Sequence, residues 1–305
     1  MSENLRFDGR VVVITGAGSG LGRAYALEFA KRGAKIVVND LGGSVKGEGK
    51  STRAADEVAE MVRNAGSVAA VNYDSVENGD KIIKTAIDAF GRVDIIINNA
   101  GILRDVSMLK MTSSDWDTII NVHLKGTFSV TKAAWKYFKD QGYGRIVNTS
   151  SGSGIYGNFG QANYGAAKMG IHGFTQVLAK EGEKYNIKAN SICPVAASRM
   201  TQDLFTPELM ELLVPEKIVP FVVCLCHESC KENGGLFEVA GGWFTRLRWQ
   251  RAQGAFLKGK FTAEDVKKEW TKVNCFNGLN DYPTGTQDTI GKIISFSSEN
   301  AKPKL

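Results

Sequence analysis

Tyr164 and Lys168 stand four residues apart in Tyr164-Gly165-Ala166-Ala167-Lys168, a spacing that puts both on one face of a helix. An ammonium beside a phenol favours the phenolate. Lys168 is therefore expected to lower the Tyr164 pKa from about 10 and fit the phenol for general acid/base work nearer neutrality. Ser151 precedes Tyr164 by 13 residues and is placed to offer a hydrogen bond to a substrate oxygen. Cys224, Cys226, His227 and Cys230 form the other cluster of reactive types. Only Cys226 and Cys230 share a helical face and no second Cys/His group exists, so they read as packing rather than as a metal site.

A second chemistry lies near the N-terminus. The apolar run Val11-Val12-Val13-Ile14 leads into Thr15-Gly16-Ala17-Gly18-Ser19-Gly20-Leu21-Gly22, followed by a helical pattern. A glycine-rich strand-to-helix turn lets backbone approach a pyrophosphate while the helix N-terminus supplies free N–H groups. The pattern is T-G-x-x-x-G-x-G rather than G-x-G-x-x-G, and it nominates Gly16, Ser19, Leu21 and Gly22. Asp40 comes 24 residues after Gly16. A carboxylate there accepts from the adenosine ribose hydroxyls and repels a 2′-phosphate, which favours NAD over NADP. Lys46, Lys50 and Arg53 follow as the competing cations. Asn98-Asn99-Ala100-Gly101 supplies small residues at the end of another apolar run, where a flat ligand can lie against backbone.

These residues need a scaffold that brings strand ends together. β-Branched runs at 11–15, 35–39, 68–72, 93–98, 145–149 and 188–193 alternate with amphipathic stretches at 23–32, 54–65, 80–90, 115–139 and 166–185. Continuous apolar strands between helices predict an α/β fold, a doubly wound parallel sheet of Rossmann type with helices on both faces. The expected division is a dehydrogenase-type domain over 1–242, a basic helical extension over 243–276 packed on it, and a polar, partly disordered tail over 277–305. The strand rhythm stops after Gly242, and a helix over 262–273 is expected with Thr262 as its N-cap and Asp265 three residues on. The loop Leu41–Lys50 is too long and glycine-rich for a tight turn.

Composition agrees. Of 305 residues, 43% are hydrophobic and 23% charged, which excludes general disorder. No apolar run reaches the roughly 18 residues of a membrane helix, and MSENLRFDGR has no secretory pattern. Five cysteines without a leader point to a reducing compartment. The net charge of +6 is concentrated between Arg246 and Lys272, where eight Lys/Arg face three Asp/Glu. Without a nucleic-acid motif, that stretch reads as a solvated face or as a contact for an anionic small molecule.

TGxxxGxG, NNAG, Ser151 and YxxxK occur in the order and spacing of the short-chain dehydrogenase/reductase family, which the chain resembles over 6–240. It resembles more closely one branch, the (3R)-hydroxyacyl-CoA dehydrogenase units of peroxisomal multifunctional enzymes of type 2. That likeness is carried by Val38-Asn39-Asp40-Leu41-Gly42-Gly43, by Asn99 to Asp105, by Gly154 to Tyr164, and by Leu225-Cys226-His227-Glu228-Ser229-Cys230. The resemblance implies an enzyme with Tyr164 as acid/base, Lys168 on the nicotinamide ribose and Ser151 on the substrate oxygen. It further implies Asp74, Ser75 and Val76 at the adenine, Asn99 and Ala100 along the adenosine ribose, and Ala196 and Ser198 at the carboxamide and pyrophosphate. The implied substrate is an acyl-CoA, whose phosphates Arg246, Arg248, Arg251, Lys258 and Lys260 would attract. A hydroxysteroid or other secondary alcohol is the alternative substrate, and a non-catalytic binding module is disfavoured by the intact site. A homodimer and a peroxisomal location follow from the branch, with Pro303-Lys304-Leu305 as an address for the import receptor. In that branch hydratase and sterol-carrier units usually follow this domain, so the 305 residues are expected to be either a stand-alone enzyme or a fragment of a longer one. One departure stands out: many family members carry an asparagine before a helix bend where His123 stands here. The relay is thus implied through backbone only, Asn121 is out of register, and His123 reads as a buried helical histidine.

Overall fold

The computed structural model describes residues 4–44, 46–196, 206–278 and 280–299. They divide into two compact units, Met1–Arg246 and Leu247–Leu305. The first is built on eight strands: β1 Val11–Thr15, β2 Lys35–Asn39, β3 Ala69–Asn72, β4 Ile95–Asn98, β5 Gly144–Thr149, β6 Ile187–Val195, β7 Leu236–Ala240 and β8 Trp243–Leu247. Their order in the sheet is β3-β2-β1-β4-β5-β6-β7-β8, and every pair from β3 through β7 is parallel. The reversal of order beside β1 is the crevice where open α/β sheets take ligands.

The apolar runs bury both faces, as a parallel sheet requires. Val12, Ile14, Ile36, Val38, Ile95 and Ile97 face a core shared with α1 (Gly20–Lys31), α2 (Arg53–Asn64) and a later helix, Val219–Cys226. Val11, Val13, Val37 and Ile96 alternate to the other face, against α3 (Gly79–Phe90) and the helix Gly126–Gln141. One carboxylate ties the N-terminal edge of this sheet. Asp94 is fully buried and accepts from the Val11 amide at 2.9 Å, from Arg10 at 3.1 Å and from Arg92 at 2.6 Å.

Three differences from the sequence reading concern elements. The stretch 115–139 is not one helix. It runs as α4 (Ser113–Ile120), a π-turn (Asn121–Lys125) and α5 (Gly126–Gln141). The sheet also continues past Gly242 into β8, whose Trp243 and Phe244 are exposed. Its half-exposed edge lacks the continuous apolar signal that marked the inner strands. In the second unit, Thr262 and Asp265 close a capping box on the helix Ala263–Lys268. Within the stretch expected as a polar tail, a helix forms over Gln287–Glu299, with Ile290, Ile293 and Ile294 at helical spacing. Arg251 and Asp281 pair at 3.2 Å in this unit, and Phe256 stacks on Phe296.

Candidate active site

Because the strands are parallel, their carboxyl ends share one edge. Gly16, Asp40, Asp74, Asn99, Ser151 and Ala196 follow β1, β2, β3, β4, β5 and β6 respectively. The remaining helices of the edge are α6 (Gly152–Tyr156) and α7 (Ala162–Gly182), and α7 carries Tyr164 and Lys168.

The glycine turn is held by side chains from neighbouring strands. Thr15 Oγ1 accepts from the amides of Asn99 and Ala100 at 3.0 and 3.1 Å, and Asn99 Nδ2 donates back to the Thr15 and Gly16 carbonyls. Asp40 accepts from the Gly18 amide at 2.8 Å and from the Gly42 amide at 2.7 Å. It thereby locks the turn, and each oxygen keeps capacity for a further donor. A Cβ at Gly22 would run into the Gly16 carbonyl, so only glycine lets α1 start so close to the turn. The residues fit a dinucleotide. Open space lies above Gly20 where a Cβ would point, and the first turn of α1 carries no acidic residue. Its N–H groups and dipole suit a pyrophosphate.

Further along the edge, Asn39, Asn72 and Asp74 interlock. Asn39 Nδ2 donates to Asn72 Oδ1 at 2.8 Å, and Asn72 Nδ2 donates to Asp74 Oδ2 at 3.0 Å. Ser75 accepts from the Glu77 amide, and Val76 is buried behind it. Ala196 is buried after β6, whereas Ser198 and Pro303-Lys304-Leu305 lie outside the described residues. Of the competing cations, Arg53 pairs with Glu57 at 2.7 Å, while Lys46 and Lys50 are exposed on the loop after Asp40. In the basic stretch, Arg246 pairs with Glu232, Arg248 lies over the Tyr282 ring and Arg251 holds Asp281. Much of that charge is thus answered locally, which weakens the expectation that the whole stretch attracts a polyanion.

Around Tyr164 the chain is preorganised. Asn163, fully buried, accepts the Tyr164 amide at 2.7 Å and donates to the carbonyls of Arg104 and Asp115. Lys168 is 3% exposed, donates to the Thr149 carbonyl at 2.8 Å and sits 5.4 Å from the Tyr164 ring centroid. Ser150 donates to the Lys168 carbonyl at 2.8 Å. Ser151 caps α6 by accepting from the Ser153 amide at 3.1 Å, and its hydroxyl lies near enough to the Tyr164 phenol to favour the phenolate. Beneath these residues a buried amide chain crosses the sheet. Asn98 donates to Thr131 and to Asn148, and Asn148 donates to Thr175 of α7. None of Thr15, Asn98, Asn148, Ser150 and Asn163 was nominated as a site residue, although Thr15 and Asn98 belong to the T-G-x-x-x-G-x-G and N-N-A-G motifs and Ser150 and Asn163 adjoin Ser151 and Tyr164.

The electrostatics overturn one expectation. Burial pushes Tyr164 up to about 12, although its bond with Ser151 pulls the other way. Burial also drags Lys168 down to about 7. Burial thus dominates the ionisation of both groups. Tyr164 is therefore poised as a proton donor in the protein by itself. In a difference titration at the phenolate absorbance, wild type minus Tyr164→Phe, the Tyr164 signal is expected only near pH 12. A midpoint below about 9 would restore the lowering by Lys168.

The comparisons with known proteins match this geometry. A model of the short chain dehydrogenase family covers residues 10–208. The chain is a short-chain dehydrogenase. It is 55% identical over 297 residues to the peroxisomal multifunctional enzyme type 2 of Mus musculus, covering 96% of this chain and 40% of that protein. It is 35% identical to a hydroxyacyl-CoA dehydrogenase of Mycobacterium tuberculosis, covering 91% of this chain and 89% of that one. The solved full-length peroxisomal multifunctional enzyme type 2 of Drosophila melanogaster superposes with a TM-score of 0.83 at 42% identity, over 97% of this dehydrogenase and 50% of that chain. The chain thus spans less than half of the mouse protein's length. Among the described residues of this dehydrogenase, no helix is long and apolar enough to cross a membrane.

Proposed function

We propose that this dehydrogenase oxidises a (3R)-3-hydroxyacyl-CoA to the 3-ketoacyl-CoA with NAD, as a homodimer in the peroxisome. The observation that carries the reading is the meeting of Ser151, Tyr164 and Lys168 at the strand edge that also holds the glycine turn and Asp40. Relatives named for hydroxyacyl-CoA and for peroxisomal multifunctional enzymes supply the substrate class.

NAD, when bound, supplies the hydride acceptor, and the chain's own residues manage the proton. Ser151 holds the substrate hydroxyl oxygen beside Tyr164, and the Tyr164 oxygen, once its own proton has left to solvent, takes the hydroxyl proton as the carbonyl forms. Lys168, fixed by the Thr149 carbonyl, would orient the nicotinamide ribose. Asn148 ties β5 to Thr175 of α7, and Asn163 ties the start of α7 to the Arg104 and Asp115 carbonyls. Asn99 and Ala100, tied to Thr15, hold the floor of the crevice flat.

The direct test is NADH formation over a panel of 3R and 3S hydroxyacyl-CoAs and hydroxysteroids. Turnover of the 3R thioesters is expected to lead. A preference for the 3S series or for steroids would overturn the substrate assignment.

Asp40 carries the cofactor choice. Because it bonds both the turn and the loop after β2, Asp40→Ala should weaken NAD binding as well as relax discrimination against NADP. Comparison of kcat/KM with the two cofactors checks this. A wild-type enzyme that favours NADP would sink the assignment.

A further inference from the structure

The π-turn between α4 and α5 holds a residue the acid/base scheme does not use. His123 is 2% exposed and sits at the centre of that turn. Single π-turns inside helices cluster at functional sites. The imidazole meets the Tyr164 ring edge to face, with centroids 5.1 Å apart and planes at 83°. Its Nε2 lies 2.8 Å from the Ile102 carbonyl oxygen and 3.1 Å from the Ile102 amide nitrogen. Whichever ring nitrogen carries the proton, Nε2 has a backbone partner just past the Asn98–Gly101 turn.

The neighbours show how little room the ring has. A Cβ at Gly101 would come to 2.5 Å from His123 Cε1, so the backbone after β4 closes onto the imidazole. Ile102, Ile119 and Ala167 form a small apolar core that includes Tyr164 and Leu124. His123 Nδ1 is buried and has no hydrogen-bond partner among the described residues. A side chain kept only for packing would more cheaply be apolar, because an unsatisfied buried nitrogen costs stability.

We infer that His123 is a positioning residue for Tyr164, a tethered aromatic wedge that transmits the place of the strand-β4 turn to the phenol ring. Ile102 fixes the imidazole, and the imidazole edge fixes the tilt of the tyrosine. The inference rests on Tyr164 being the proton-transfer group. Burial and the nearby Lys168 keep the imidazole well below its ordinary pKa, so the wedge is neutral and adds no charge to the site.

The test uses His123→Leu, His123→Gln and His123→Phe in the full chain, with 3R-hydroxyacyl-CoA and NAD. Leucine removes both ring and tether, glutamine keeps a donor for the Ile102 carbonyl without a ring, and phenylalanine keeps the ring edge. Misplacing the phenol should lower kcat on the order of 10- to 100-fold in the leucine and glutamine variants. NADH affinity, read by its fluorescence, should stay at the wild-type value. The solvent deuterium isotope effect on kcat should rise, because proton transfer then weighs more in the rate. Phenylalanine should recover most of both quantities.

Wild-type kcat and isotope effect in His123→Leu would overturn the role. So would a lower kcat with an unchanged isotope effect, since that reports fewer correctly assembled molecules rather than a misplaced phenol. Should the leucine variant not fold, the glutamine variant decides by the same two readings. Tyr164→Phe is measured alongside. Turnover surviving there overturns the acid/base reading, and the wedge with it. An inactive Tyr164→Phe beside an unaffected His123 series overturns the wedge alone.

Discussion

Tyr164→Phe should bind NAD as the wild type does and lose on the order of 10²- to 10⁴-fold in kcat, the usual worth of general acid/base catalysis. The change removes one oxygen from a ring that is held elsewhere. The Asn163 bond to the Tyr164 amide and the edge contact with His123 do not involve the hydroxyl, so the helix start and ring position persist. The lost atom is the one nearest Ser151 and the one proposed to exchange a proton. Steady-state turnover with purified protein, together with fluorescence titration of NADH, separates catalysis from binding. A variant keeping more than about a tenth of the rate contradicts proton transfer by this residue.

Asp94→Ala acts at the opposite edge of the sheet and on stability rather than turnover. The carboxylate is fully buried and serves three donors, the Val11 amide, Arg10 and Arg92. Alanine leaves the buried amide without an acceptor and takes the carboxylate from Arg92 and from Arg10, which keeps Glu228 at 2.9 Å. Breaking a buried pair typically costs about 3–5 kcal/mol. The lower end is expected here because Arg10 and Arg92 both retain some access to water and can turn outward. Asp94→Asn, which keeps one acceptor, should lose less. Urea unfolding followed by circular dichroism measures both. A midpoint for Asp94→Ala equal to wild type would show that β1 and β4 are held by their apolar faces alone.

The contrast between these two residues shows what a single sequence makes legible. Tyr164, Lys168 and Ser151 were readable because their spacing is local and their types are rare together. The glycine turn was readable because β1 before it is a continuous β-branched run and α1 after it is amphipathic. Asp94 was not readable. Its partners at Val11 and Arg10 are about eighty residues away, and nothing in its neighbourhood marks it as buried. The same holds for Asn98, Asn148, Thr131 and Thr175, which meet only after two strands and two helices pack. β8 was missed for a different reason. An edge strand buries little, so Trp243-Phe244-Thr245-Arg246-Leu247 shows neither alternation nor a continuous core run. The ionisation of Tyr164 was misjudged because spacing reports the nearby charge and is blind to desolvation, which the fold imposes on both partners.

The close approach of Gly101 to the His123 ring has a bearing on how this site can change over time. Any side chain at position 101 collides with the imidazole, whereas a smaller residue at 123 frees the space. Substitutions at the two positions are therefore ordered: a route that alters 123 first stays open, and a route that alters 101 first is closed. Selection from a library randomised at both positions should return non-glycine residues at 101 only alongside small residues at 123. Tyr164 then sits at the end of a linked pair, and its surroundings can be redesigned through 123 but not through 101 alone.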